Sequence, residues 1–218
     1  MKEKIVQTKL GITIIGAGRS SAKQIKKSRT LAPFVLAADG GVHCALKYGV
    51  IPDAVIGDLD GLMNMDIAVA AQGIHRIPEQ DSTDFEKCLY SIDAPFVIAH
   101  GVTGSRFDHS LAAMNALIKY FPLPVIVVSG KDLIFVCPPE LHLPLPVGTR
   151  VSLFPLATVF GKSKGLEYPI DEIELSPIGR IGTSNRTVDE KIEVSFAEPI
   201  MLVILPRKHL TAVVRALL

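Results

Sequence analysis

Between Ile12 and Val128 the chain keeps repeating one phrase: a short apolar run, a turn rich in glycine or aspartate, then a polar stretch with helical spacing. The runs Ile12–Ile15, Phe34–Ala38, Ala54–Ile56, Ile74–Ile77, Phe96–Ala99 and Val125–Val128 read as strands. The stretches Arg19–Thr30, Gly41–Tyr48, Ser82–Ser91 and Asp108–Tyr120 read as the helices between them. Most of these strands are apolar at successive positions, not alternate ones. Such strands need cover on both faces, which a parallel sheet with helical crossovers supplies. The expected fold class is therefore α/β, beginning with a parallel-sheet, Rossmann-like domain over residues 1–137.

After Gly130 the pattern changes. Pro138, Pro139, Pro144 and Pro146 cluster, and short β-rich runs follow at Val151–Phe154, Gly165–Tyr168, Ile192–Phe196 and Met201–Leu205, set apart by glycines and prolines. This spacing predicts an all-β sandwich domain over residues 138–218. The end of the chain, Leu210–Leu218, is open to either a helix or a final strand.

Composition narrows the function. Lysine and arginine total 23 against 22 aspartates and glutamates, a net charge of +1. That balance provides no global field for nucleic acid or an acidic membrane surface. The largest basic cluster, Lys23–Arg29, reads as a helix coat. No apolar run approaches the ~18 residues of a membrane span, and Met1–Thr8 has no signal-peptide pattern. Cys44, Cys88 and Cys137 are too far apart for a zinc or redox pair, so small thiols in a reducing cytoplasm are expected. His43, His75, His100, His142 and His209 share no metal-ligand spacing and read as structural; Met63 and Met65 read as packing residues.

The strand ends carry acids. Asp39 follows the second strand, Asp58 and Asp60 the third, Asp81 and Asp84 the fourth, and Asp108, with Arg106, the fifth. Ligands of open parallel sheets bind at that edge. A single aspartate there reads as a helix cap, and Asp81 and Ser82 suit that role before the helix carrying Phe85 and Leu89. An Asp-x-Asp pair is not needed for capping, however, and six carboxylates at one edge would repel one another without a cation. Oxygen ligands of this kind suit Mg²⁺ with substrate phosphates. Gly40, Gly41, Gly57, Gly61, Gly101 and Gly104 let backbone N–H groups approach phosphate, and Arg106 can grip phosphate as a fork. The sum is a magnesium–nucleotide site.

Two other patterns compete. Gly16-Ala-Gly18 opens like a dinucleotide fingerprint, but Ser21 stands where the third glycine belongs; Ser20 and Ser21 read as a helix N-cap. Asp58-Leu-Asp-Gly61 resembles the nucleophile motif of haloacid dehalogenase-type phosphatases, although it falls on the third strand and not the first. A phosphatase using Asp58, or a nucleotide-binding module without turnover, stays open beside an enzyme that holds the cation.

Ala38-Asp-Gly-Gly41, Gly57-Asp-Leu-Asp60, Asp81-Ser-Thr-Asp84 with the following Phe85–Leu89, and Gly104-Ser-Arg-Phe-Asp-His109 occur in an order that resembles the thiamine pyrophosphokinase family. Gly165–Tyr168 and Thr183–Asn185 are similar to its C-terminal signatures. The chain departs from the family pattern at Gly61, where serine is usual, and at Ser105, where glycine is common; Gln80 stands where many bacterial members have lysine. The resemblance implies transfer of pyrophosphate from ATP, the co-substrate, to the hydroxyethyl group of thiamine, giving thiamine diphosphate and AMP. Residues 1–137 would form the ATP- and Mg²⁺-binding catalytic domain and 138–218 the thiamine-binding domain. Mg²⁺ would be held by Asp58, Asp60 and Asp84. Asp84 or Asp81 would accept the thiamine hydroxyl proton, and Arg106 would neutralise the transferring phosphate. Asp39, Gly40, Gln80, Thr83, Asp108 and His109 would bind the nucleotide side. Ser184 and Asn185 would contact the pyrimidine, and Tyr168 would stack on it, whereas pattern alone puts Tyr168 in a sandwich core. The resemblance further implies a homodimer with thiamine at the subunit interface.

Overall fold

The computed structural model describes residues 4–60, 73–104 and 106–218. Gly61, Met63, Met65 and Ser105 lie outside these. Two compact units divide the chain, Met1–Gly130 and Lys131–Leu218. The split falls before the boundary expected at 137/138, because the strand Asp132–Val136 pairs along its length with Met201–Pro206. The fold is mixed α/β. No helix among the described residues is long and apolar enough to cross a membrane.

The first unit runs β1 (Val6–Gln7), β2 (Ile12–Ile15), α1 (Ala22–Arg29), β3 (Phe34–Ala38), α2 (Gly41–Lys47), β4 (Ala54–Gly57), β5 (Ile74–Arg76), α3 (Asp84–Ser91), β6 (Ile92–Asp93), β7 (Val97–His100), α4 (Phe107–Lys119) and β8 (Val125–Ser129). Its main sheet has the order β8-β7-β2-β3-β4-β5, with every neighbouring pair parallel. β1 and β6 form a separate parallel pair. Every residue of β2, β3, β4 and β7 is buried, as strands covered on both faces must be. On one face Ile25 of α1 and Ala45 of α2 pack on Ile15 and Val35. α3 packs on β3, β4 and α4.

Helix starts follow local chemistry. Ser21 caps α1 by accepting the Gln24 N–H, and Lys26, Lys27 and Arg29 occupy its last turn, where the helix dipole favours cations. At α3 the cap is Thr83, not the expected Asp81 or Ser82. Its hydroxyl accepts the Glu86 N–H while the Glu86 carboxylate accepts the Thr83 N–H, both at 3.3 Å. Lys119 of α4 then pairs with Glu86 at 2.7 Å.

The second unit runs β9 (Asp132–Val136), β10 (Glu140–Pro144), β11 (Arg150–Pro155), β12 (Val159–Lys164), β13 (Glu174–Leu175), β14 (Gly182–Arg186), β15 (Lys191–Phe196) and β16 (Met201–Pro206). A 3₁₀ turn, Arg207–His209, leads into α5 (Leu210–Leu217). Two antiparallel sheets form, β14-β11-β16-β9 and β10-β15-β12-β13. The chain thus ends in a helix, which packs on β10 through a face containing buried Leu210, Val213 and Val214. Gly165–Tyr168 is not a strand: apart from the isolated bridge Leu166–Thr187 it is a loop. Polar β14 escapes sequence patterning because only Asn185 along it is buried, and it is a strand because β11 pairs with it.

Thr83→Ala removes the reciprocal cap of α3 and should destabilise the protein by about 1 kcal/mol. Thermal unfolding should show this as a drop of roughly 2–4 °C in Tm.

Candidate active site

Within the first unit the chain steps outward through β2, β3, β4 and β5, then returns to add β7 and β8 on the other side of β2. The strand order thus reverses between β2 and β7, and ligands of such sheets bind at that switch point, outside the carboxyl ends of the strands. A cavity of about 390 Å³ lies here, lined on those two sides by Gly16–Gly18 and Gly101–Thr103. The two loops touch through backbone: the Gly16 N–H donates to the His100 carbonyl at 2.7 Å and the Gly18 N–H to the Gly101 carbonyl at 2.8 Å. Gly101 is left-handed (φ +67°), and a Cβ on it would lie 2.5 Å from the Gly16 oxygen. A side chain is excluded by both conformation and space. Gly16-Ala-Gly18, an incomplete fingerprint in the sequence, is therefore part of the cavity wall.

Asp39, Asp58 and Asp84 bring carboxylates to this cavity. Asp39 is left-handed (φ +43°), and its Oδ1 accepts the N–H of Leu59, itself left-handed (φ +64°), at 3.0 Å. The turns after β3 and β4 are thus locked together, and Gly57 leaves the room: a Cβ there would stand 2.6 Å from that of Asp39. Asp58 Oδ2 accepts from the Gln80 amide at 3.1 Å, and Oδ1 accepts the Asp60 N–H at 3.3 Å. The Gln80 bond is the main influence holding the Asp58 carboxyl below its ordinary range; the Asp60 N–H and the charges of Lys87 and Arg76 add to it against partial burial. Asp84 goes the other way: burial raises it, with the Asp39 and Asp58 charges adding, while Lys87 opposes.

Gln80, Ser82 and Thr83 also line the cavity. Their loop is held from behind by Glu79. Its carboxylate accepts the Asp81 N–H at 2.7 Å, the Ser82 N–H at 3.1 Å, the Ser82 hydroxyl, and the Tyr90 hydroxyl at 2.9 Å. Arg106, the N-cap of α4, and His109 and Ala113 within that helix also line it.

The six expected carboxylates do not all converge. Asp60 and Asp81 are exposed and outside the lining. Asp108 is exposed and grips Arg106 at 2.5 and 3.2 Å, which draws its carboxyl down to about 2. None of the six caps a helix: the N-cap positions are Gly40, Thr83 and Arg106. Among the described residues no three acidic, histidine or cysteine side chains are grouped to hold an ion alone. Asp58, Asp60 and Asp84 therefore do not form a closed metal cage. Asp58 and Asp84 do approach one ammonium, Lys87, at 3.9 and 3.1 Å. Two such carboxylates fit Mg²⁺, which commonly takes one or two and draws its other ligands from water and substrate phosphates. Sequence reading passed over Lys87. Its signal was the i,i+3 spacing from Asp84.

In the second unit Tyr168 is 63% exposed, so it is not the core residue that pattern alone suggests. Its loop is tied to β14 by buried Asn185, whose Oδ1 accepts the Tyr168 N–H at 3.1 Å and whose amide donates to the Tyr168 carbonyl at 2.7 Å. The Glu167–Arg186 pair and the Glu167 N–H bond to the Arg186 carbonyl reinforce the attachment. Ser184, left-handed (φ +61°), donates its N–H to Ser152 at 3.0 Å.

Two family models match the chain in order. Residues 25–127 match "Thiamin pyrophosphokinase, catalytic domain" and 139–201 match "Thiamin pyrophosphokinase, vitamin B1 binding domain". Thiamine pyrophosphokinase 1 of Arabidopsis thaliana is 28% identical over 170 residues, covering 69% of this chain and 64% of the plant protein; the chain thus spans just under two thirds of that relative. Thiamin pyrophosphokinase 1 of Caenorhabditis elegans is 26% identical over 181 residues, 74% of each chain. The fold is similar to that of thiamin pyrophosphokinase from Candida albicans, with a TM-score of 0.77 at 17% identity over 92% of both chains.

Replacing Arg106 with Gln should let the Asp108 carboxyl climb from about 2 toward the ordinary aspartate value of roughly 4. Carboxyl-carbon NMR titration reads this directly. The ion pair is intact above the depressed value and is lost on acidification through it.

Proposed function

The chain belongs to the thiamin pyrophosphokinase family, and from that premise we propose that it transfers the terminal pyrophosphate of ATP to the hydroxyethyl oxygen of thiamine, releasing AMP. The observation that carries this reading is the cavity at the β2/β7 switch point of the sheet, which collects Asp39, Asp58, Asp84 and Arg106 against two glycine loops. Nucleotide phosphates suit the glycine backbone, and Arg106 suits their oxygens. On this reading the first unit is a Rossmann-like ATP-binding domain. The second, with its two antiparallel sheets, is a β-sandwich that binds thiamine through exposed Tyr168, with Ser184 beside it and Asn185 bracing the loop. A homodimer with thiamine at the subunit interface and a cytoplasmic setting belong to the same proposal.

In the reaction the thiamine hydroxyl oxygen forms a bond to the β-phosphorus, the bond from that phosphorus to the α–β bridging oxygen breaks, and AMP leaves in line. Asp84 is the group to take the hydroxyl proton: it lines the cavity and its raised affinity for a proton suits a base, whereas Asp81 is exposed outside it. Asp58, held ionised by Gln80, would with Asp84 hold the Mg²⁺ that enters with ATP. That cation supplies charge neutralisation of the phosphates. Asp60 and Asp108, both outside the cavity lining, are left to act through water, and Gly40, Thr83 and His109 would shape the nucleotide side. An Asp58 phosphatase is not favoured, since both matching models are of pyrophosphokinase domains.

Protein incubated with ATP and Mg²⁺, with and without thiamine, should form AMP only when thiamine is present, and no ADP. Asp84→Asn should lower the rate by about a hundredfold or more. Phosphate or ADP released without thiamine would overturn the proposal in favour of hydrolysis.

A further inference from the structure

Lys87 stands out among the basic side chains of the first unit. Its side chain is 2% exposed, and lysine is almost never buried so fully unless paired. Helix formation does not explain it. Lys87 belongs to the first turns of α3, its N–H bonding the carbonyl of the cap Thr83 at 2.9 Å, and the positive end of a helix disfavours a cation. The ammonium instead joins two elements distant in sequence, Asp84 on α3 at 3.1 Å and Asp58 after β4 at 3.9 Å. It is absent from the cavity lining, where both of its partners appear.

We propose that Lys87 is a positioning residue, a fixed internal counter-charge that holds Asp58 and Asp84 together at the cavity wall. The formal charges of Asp39, Asp58 and Asp84 sum to three negative and one buried ammonium leaves two; Arg106, also in the lining, is paired with Asp108, so a single divalent cation neutralises what remains. Without Lys87 the acids would repel one another, and the two turns they terminate would separate. With it they are preassembled, and the cation meets a site whose affinity is moderated by the ammonium behind it. The cation's arrival with a nucleotide rests on the function proposed above; the holding role of Lys87 does not.

The test measures thermal unfolding of the full chain in EDTA and with Mg²⁺ alone. In EDTA, Lys87→Met should lower Tm by roughly 2–8 °C, the loss expected when two partly exposed carboxylates lose their shared counter-charge. Mg²⁺ should restore most of this loss and bind the variant about tenfold more tightly than the parent, because a nearby positive charge has gone. Lys87→Arg should retain much of the stability. The double variant Asp58→Asn/Lys87→Met should regain stability in EDTA without Mg²⁺, which no packing role of the lysine stem predicts. If Lys87→Met is as stable as the parent in EDTA, or if its loss is repaired neither by Mg²⁺ nor by Asp58→Asn, the proposal is overturned. If neither parent nor variant responds to Mg²⁺ but Asp58→Asn still repairs the loss, the counter-charge role stands and the cation reading of the cavity fails.

Discussion

Parallel pairing governs the first unit of this molecule. Because β2, β3, β4, β5, β7 and β8 all run the same way, each of their carboxyl ends reaches the same edge of the sheet, and every turn that follows is delivered there. The return of the chain across β2 opens one crevice along that edge. Asp39, Asp58 and Asp84 reach a common cavity although 45 residues separate the first from the last only in the linear chain. Backbone contact between the loops of Gly16 and Gly101 leaves no room for a side chain at either glycine.

Concentrating acids at one edge has an electrostatic cost, and the structure meets it with fixed neighbours. Gln80 solvates Asp58 with an amide, Leu59 gives its N–H to Asp39, and Lys87 faces Asp58 and Asp84 together. These contacts come with local backbone strain: Asp39 and Leu59 are both left-handed, and neither is a glycine. Strain of this kind persists only where surrounding contacts over-determine it, and here the Asp39–Leu59 hydrogen bond spans the two strained turns. Glu79 adds a further brace, collecting donors from Asp81, Ser82 and Tyr90 behind the loop that carries Gln80.

The second unit uses the same device on another scale. Asn185 is the buried residue of an otherwise solvent-facing strand, and its amide grips the Tyr168 backbone from both sides. The effect is an exposed aromatic ring on a loop that is not free to wander. Ser184, the neighbouring left-handed residue, falls in the same short motif. Among the described residues, three of the four left-handed residues other than glycine, Asp39, Leu59 and Ser184, thus lie within motifs that were legible before any coordinates.

The sequence alone determined the parallel-sheet half, since uninterrupted apolar strands such as Phe34–Ala38 can be buried in few other ways, and it marked the strand ends where acids gather. Ordered short motifs named the family as well. Tertiary structure decided which acids act together. Asp60 and Asp81 look the same in sequence as Asp58 and Asp84, yet a left-handed Leu59 and a cap at Thr83 leave the first pair exposed and the second lining the cavity. Lys87 was hidden for a related reason: a lysine in a helix reads as solvent-facing until Asp58, from the turn after β4, is brought beside it. Periodicity reports which residues share a face of their own element; only packing reports what that face meets.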